Sequence, residues 1–258
     1  MMKKRWFQVG WPPVAVLFSF LVIWQLAVTW GHIEEFLLPS PLRILEVFTQ
    51  ADVRARLWMH AASTIRITLL GLGSGIGLGI VLAVLLHVIP FLRSGIYPLL
   101  ILTQNVPIVA TGPLLIIWLG YGIAPKVVLI MLVCFFPVVV STLTGLSQPD
   151  PQYLNYMQMI GATKRQLLWK LELPNALPYL FSGMKLAASY SVITAVAAEW
   201  LGSKEGLGTY IKLSANGFMT AQVFATIVVI VAVSLGLFGI FALLAKWAVR
   251  WNIKNGGR

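Results

Sequence analysis

An all-α, polytopic membrane bundle is the fold class this sequence predicts, and three observations predict it. Of 258 residues, 59% are hydrophobic and 10% are charged, against about 25% charged in a soluble domain. The mean hydropathy is +0.86. The apolar residues gather into six runs, each of roughly the 20 residues that a helix needs to cross a bilayer. No repeat or low-complexity linker divides the chain, so residues 1–258 read as one domain.

The first run, Val14–Trp30, is short and follows Lys3, Lys4 and Arg5. A secretory leader has a similar start. Thr29-Trp30-Gly31-His32 offers no small-x-small cleavage site, so an uncleaved span is expected. The loop Gly31–Ser63 follows. Within it, Pro39-Ser40-Pro41 introduces a short helix over Leu42–Thr49, and Val53–Ser63 leads into the second run, Ile65–Ile89. The third run, Ile96–Leu119, contains Pro107 and Pro113, which are expected to bend a single span. The fourth, fifth and sixth are Lys126–Leu146, Pro178–Leu201 and Val223–Val249.

Charge sets the orientation. With the N-terminus inside, the inner segments hold Lys3, Lys4, Arg5, Arg93, Lys164, Arg165, Lys170, Lys246, Arg250, Lys254 and Arg258. The outer segments hold Arg43, Arg54, Arg56, Lys126, Lys204 and Lys212, offset by six of the eight acidic residues. That bias predicts both termini on the cytoplasmic side. The formal charge of +11 therefore belongs to membrane topology and anionic lipid. No soluble basic domain is available to bind nucleic acid. Cys134, the single cysteine, excludes an internal disulfide and reads as a buried, inert thiol. His32, His60 and His87 lack metal-ligand spacing, so no metal site is expected.

Gly71, Gly75 and Gly79 recur every fourth residue of the second run. No Lys-Ser or Lys-Thr follows, so a phosphate cradle is excluded; the spacing predicts close approach of a neighbouring helix. In the third run, Gln104 and Asn105 are amides in an apolar span. They either line a wet path for a polar solute or hydrogen-bond between helices. Ser189, Ser191 and Glu199 of the fifth run are further candidates for that path, with Glu199 beside Trp200 also readable as an interfacial anchor. No Ser/His/Asp set or paired intramembrane carboxylate is present. The chain is therefore not expected to be an enzyme, and a proton- or ion-coupled carrier lacks the deep ionisable groups it needs.

The longest polar interruption is Asn155–Pro178. Ile160, Leu167, Leu168 and Leu171 fall near one helical face, and Lys164, Arg165, Gln166 and Lys170 mostly on the other. Pro149 and Pro151 before it, and Pro174 and Pro178 after it, are expected to bound this helix. An amphipathic helix held between two spans docks into a groove on a partner or lies on the lipid surface.

This segment resembles the Glu-Ala-Ala loop of permease subunits of bacterial ABC importers. Gly161 fits the glycine of that pattern, Leu171 its aliphatic position and Leu173-Pro174 its end, while Asn155-Tyr156-Met157 stands in place of Glu-Ala-Ala. Four further blocks look like the nitrate/sulfonate/taurine-type permeases. They are Leu38-Pro39-Ser40-Pro41, Gln104-Asn105-Val106-Pro107, the run from Pro113 through Gly122, and Ala198-Glu199-Trp200-Leu201-Gly202. Cys134-Phe135-Phe136-Pro137 and the run through Glu199 look most like members that handle the pyrimidine precursor of thiamine.

The resemblance implies a type I importer permease in the bacterial inner membrane, with its coupling loop at about residues 150–178. The coupling residues it implies are Ile160, Gly161, Ala162, Thr163, Leu167, Leu171, Leu173 and Pro174. It implies three partners: a second permease copy, a cytoplasmic ATPase dimer, and a periplasmic or lipid-anchored solute-binding protein. ATP and Mg would sit on the ATPase, leaving this chain without a cofactor. The readings left beside it are a partner-free secondary carrier and a membrane scaffold subunit.

Overall fold

The computed structural model describes the backbone of residues 2–249, and the side chains of that stretch apart from residues 2–10, 108 and 109. The inner-face charges Arg250, Lys254 and Arg258, and the side chains of Lys3, Lys4 and Arg5, lie outside the described residues. All regular structure among the described residues is helical: α1 Met2–Trp30, α2 Pro41–Val47, α3 Ala51–Val88, α4 Pro90–Thr103, α5 Ile108–Leu119, α6 Ala124–Ser147, α7 Pro151–Met159, α8 Lys164–Leu167, α9 Leu173–Glu199, α10 Leu207–Asn216 and α11 Thr220–Ala248. One π-helical turn, Leu168–Glu172, joins α8 to α9.

Among the described residues, five helical stretches are long and apolar enough to cross a membrane. They match the first, second, fourth, fifth and sixth predicted runs, three of which overrun the observed helix ends by one or two residues. The third is different. In place of one bent span, the chain forms α4 and α5, separated at Gln104–Pro107. Pro107 lacks an amide proton and disfavours a helical conformation at Val106 before it. It sits extended at φ −62°, ψ 125° and opens α5. Pro113, inside α5, does not interrupt it.

At the start of α2, the Ser40 hydroxyl accepts from the Arg43 amide at 3.3 Å, and Pro41 occupies the first turn. Both choices suit a helix N-terminus. The predicted Val53–Ser63 stretch continues without a break into the second span as α3, about 57 Å long at 1.5 Å per residue.

α3, α6 and α9 form the centre, with α6 packed between the other two and α11 laid on α9. The glycine row fixes the α3–α6 register. A methyl group on Gly71 would meet Ile130 Cβ at 2.5 Å, one on Gly75 would meet Cys134 Cβ at 2.9 Å, and one on Gly79 would meet Val138 Cβ at 2.8 Å. The four-residue step on one helix thus meets a four-residue step on the other. Gly73 and Gly77, on the far side of α3, have open space beside them. Across α6, Gly145 faces Ala176 and Tyr179, while Gly183 of α9 faces Pro137 and Ser141. Cys134 is fully buried in this core and its thiol donates to the Ala187 carbonyl at 3.4 Å. By contrast, residues 11–30 of α1 and the length of α11 keep most of their apolar surface uncovered.

Candidate functional site

Two ends of the bundle carry the polar residues. At one end lies the α7–α9 segment. The Asp150 carboxylate caps α7 by accepting from the Gln152 amide at 2.8 Å, with Pro151 in the first turn. The chain then reverses at Gly161, whose φ of +75° suits a residue without a Cβ. Thr163 and Gln166 form a reciprocal capping box: the Gln166 amide donates to Thr163 Oγ1 at 3.3 Å and the Thr163 amide donates to Gln166 Oε1 at 2.8 Å.

The prolines expected to end this helix do not. Residues 164–199 run as one helical stretch, with Pro174 and Pro178 inside α9. The π turn gives a physical reason. Its wider register, with the Leu173 amide donating to the Leu168 carbonyl, moves aside the carbonyl four residues back, against which Pro174 would otherwise clash.

Polar contacts seat this segment. His87 Nε2 lies 2.8 Å from Glu172 Oε2, tying the end of α3 to the π turn. Asn175 Nδ2 donates to the Gly145 carbonyl at 2.9 Å and to the Gln148 carbonyl at 3.0 Å, tying the start of α9 to the end of α6. Leu167, Leu171, Leu173 and Pro174 are half-buried against the bundle, as is Ala162. The outer surface is left bare: Met159 is 82% exposed, Ile160 61% and Trp169 64%, with Tyr153 and Tyr156 also exposed. Gly161, Thr163, Lys164, Arg165 and Lys170 are exposed around them. The segment is therefore held firmly from behind and uncovered in front.

Gln104 and Asn105 fall at the α4–α5 break and are exposed in the single chain. Asn105 Nδ2 donates back to the Ile101 carbonyl at 3.3 Å. Ser189 is half-buried and bonds its own helix at the Lys185 carbonyl. Two other candidate path residues are buried in the single chain. Ser191 is fully buried, with its hydroxyl on the Ala188 carbonyl at 2.7 Å. Glu199 is 1% exposed and faces the interior of the chain.

Glu199 is the hub of the opposite end. Its Oε1 accepts from the Thr64 hydroxyl at 2.6 Å and its Oε2 from the Gly208 amide at 2.7 Å. Thr64 Oγ1 in turn accepts from the Leu207 amide at 2.8 Å. His60 Nδ1 accepts from the Gly206 amide at 3.0 Å, which places the ring proton on Nε2 in the neutral form. The His60 ring packs on Tyr210 at a centroid distance of 5.0 Å. Burial pushes the Tyr210 phenol above its ordinary range, and its hydroxyl donates to Gln222 Oε1 at 2.9 Å. Gly206 is required here twice: its φ is +121°, and a Cβ would run into the Glu199 carboxylate. Together these bonds staple the 200–206 loop and α10 onto α3.

Beside that network lies an open groove of about 550 Å³. Arg66 of α3, Lys126 of α6, and Lys204 and Glu205 of the loop supply its charge, and Tyr121 is among the residues that line it. Lys126 Nζ donates to Ser203 Oγ at 2.6 Å, and that hydroxyl donates to the Glu205 carbonyl at 2.6 Å. Sequence reasoning missed Arg66, although a charged residue within an apolar run is the signal that finds it. It also missed Thr64, His60, Gly206 and Gly208, which look unremarkable until α10 is folded back.

Residues 75–250 match the family described as "Binding-protein-dependent transport system inner membrane component". The chain is similar to the formylaminopyrimidine transport permease protein ThiX of Halalkalibacterium halodurans: 35% identical over 244 residues, covering 94% of this chain and 95% of that one. It is also similar to the taurine transport system permease protein TauC of Escherichia coli, 30% identical over 243 residues and covering 91% and 88% of the two chains. Among solved structures, 77% of this chain matches 99% of a chain from the MetNI methionine ABC transporter in inward-facing conformations. The TM-score is 0.67 at 17% identity, a likeness of fold.

Proposed function

The chain belongs to the binding-protein-dependent transport system inner membrane component family, and from that membership we propose how it works as the permease of an ABC importer for small solutes. It is a multi-pass inner-membrane protein. Two copies form the path, with α4 and α5 together completing a sixth crossing and with both termini inside. Each copy offers its α7–α9 segment to one subunit of a cytoplasmic ATPase dimer, and ATP and Mg bind there. A periplasmic or lipid-anchored solute-binding protein delivers cargo to the α10 end, and lipid surrounds the bundle.

The observation that carries this reading is the bare apolar surface around Met159, Ile160 and Trp169 on a firmly seated segment. In water an uncovered cluster of large side chains is a docking surface. The π turn and α9 run on from it as one helix. ATP binding closes the ATPase dimer and draws the two segments together. The helices bonded to them, α3 through His87 and α6 through Gly145, follow, and the bundle opens outward. Hydrolysis lets it return.

On overall similarity the proposed cargo is the pyrimidine precursor of thiamine. A taurine-, sulfonate- or nitrate-like anion is the second reading, favoured by the basic groove. Affinity purification of the tagged chain from solubilised membranes, with mass spectrometry of what comes along, tests the assembly. An ATPase and a solute-binding protein are expected in the eluate. A chain that elutes alone yet drives uptake when reconstituted is a secondary carrier, and one that elutes alone and transports nothing is a scaffold.

A further inference from the structure

Arg66 has an unusual position. It lies between Ile65 and Ile67 in the apolar run of α3 and is exposed to the groove. Arg43 pairs with Glu35 and Glu46, Arg56 with Asp52, Arg54 donates to the Phe48 carbonyl and Arg93 to Ser147. No hydrogen bond or ion pair is found for Arg66 among the described residues. A charge inside a spanning segment faces a wet cavity and takes a partner. The guanidinium fork matches two oxygens of a carboxylate, sulfonate or phosphate.

The rest of the groove agrees. Lys126 spends one of its three donors on Ser203 and keeps two. Lys204 adds a third cation, and Glu205 is the one carboxylate in the lining. Met59, Ile67 and Ile123 give apolar contact for the body of a ligand. The volume of about 550 Å³ suits a small molecule. Resting on the importer reading, we infer that this groove receives the anionic group of a small organic solute at the outer mouth, with Arg66 as the principal recognition residue. Of the two cargo classes, it selects the anionic one.

The test uses the full chain with its co-purified subunits in phosphatidylcholine nanodiscs. The probe is 4-fluorobenzenesulfonate, and its neutral isostere 4-fluorobenzenesulfonamide is the control, both followed by fluorine NMR. The sulfonate is expected to bind at least about tenfold more tightly than the sulfonamide. Arg66→Gln should weaken the sulfonate by about tenfold or more, Arg66→Lys by less, and Lys212→Gln, outside the groove, by nothing measurable.

Equal binding of the two probes, no binding of the sulfonate, or an Arg66→Gln variant that binds it normally overturns the inference. So does displacement of the sulfonate by phosphatidylglycerol in the disc, which assigns the groove to a lipid headgroup. Loss of solute-binding-protein affinity in Arg66→Gln, with sulfonate binding unchanged, assigns it to an acidic loop of that protein and also overturns it. The importer reading fails separately. If no ATPase co-purifies but the sulfonate still depends on Arg66, the groove stands and the importer does not.

Discussion

The two polar ends of this bundle are built on opposite terms. At the α10 end, Glu199, Thr64, His60 and the amides of Gly206, Leu207 and Gly208 satisfy one another in the interior. At the α7 end, the hydrogen bonds that tie the segment to α3 and α6 run along its back, and the front shows Met159, Ile160 and Trp169 to water. The first arrangement is complete within one chain. The second is complete only against something else. A buried polar network contributes to the stability of its own fold, whereas an exposed apolar face costs the isolated chain and is repaid on association. Substitutions at the two ends should therefore part company: one set unfolds the protein, the other leaves it folded and idle.

The largest effect is expected from Glu199→Ala. It leaves the Gly208 amide without an acceptor, loosens Thr64 and empties the space between them. A loss of about 3 kcal/mol is expected, from the cost of stranding buried partners. Glu199→Gln, which keeps the shape and one acceptor, should lose less. Unfolding of the purified protein by heat or denaturant in a mild detergent reads both. A Glu199→Ala protein as stable as the parent would show that the α10 end is not held by this network, and the contrast between the ends would fail.

A middle-sized effect comes from the core that links them. Gly75→Leu forces a side chain into Cys134 and the Met131 carbonyl, at 2.9 and 3.1 Å from the first added carbon. Overpacking of that kind costs about 1–3 kcal/mol. Gly73→Leu, two residues away with nothing within 4 Å, should change stability by less than about 0.5 kcal/mol. The same unfolding measurement compares them. Equal losses would mean that the α3–α6 contact does not govern this row, since helix propensity alone favours Leu over Gly at both positions.

Much of this was legible in the sequence because membrane helices announce themselves. Five of the six apolar runs are long helices, and the four-residue glycine period named the face of α3 that meets α6. The runs misread were those where proline chemistry depends on neighbours. Pro107 breaks the third run outright, because the polar Gln104 and Asn105 before it accept a turn. Pro174 breaks nothing, because a π turn absorbs it. Neither outcome is written in the proline itself. Glu199 stands out in the sequence as a carboxylate near a span end, but its carboxylate partners are Thr64 and Gly208, and only the folded α10 brings them within reach. Arg66 was legible and passed over.

The smallest expected change in stability is at Ile160, and it is the sharpest test of the contrast. The side chain is 61% exposed and stands at the turn before Gly161. Ile160→Asp removes no internal contact of note, so stability should shift by less than about 0.5 kcal/mol. Yet a carboxylate in the middle of an apolar docking patch must be desolvated when the partner closes over it. ATP-driven uptake by the reconstituted complex should then fall by at least about tenfold, equivalent to about 1.4 kcal/mol of lost docking. Both numbers should be taken from one preparation, unfolding first and uptake second. A folded, inactive variant is the signature of a surface built for a partner. A variant that transports normally would mean the bare face is a lipid-facing one, and that force enters the bundle elsewhere.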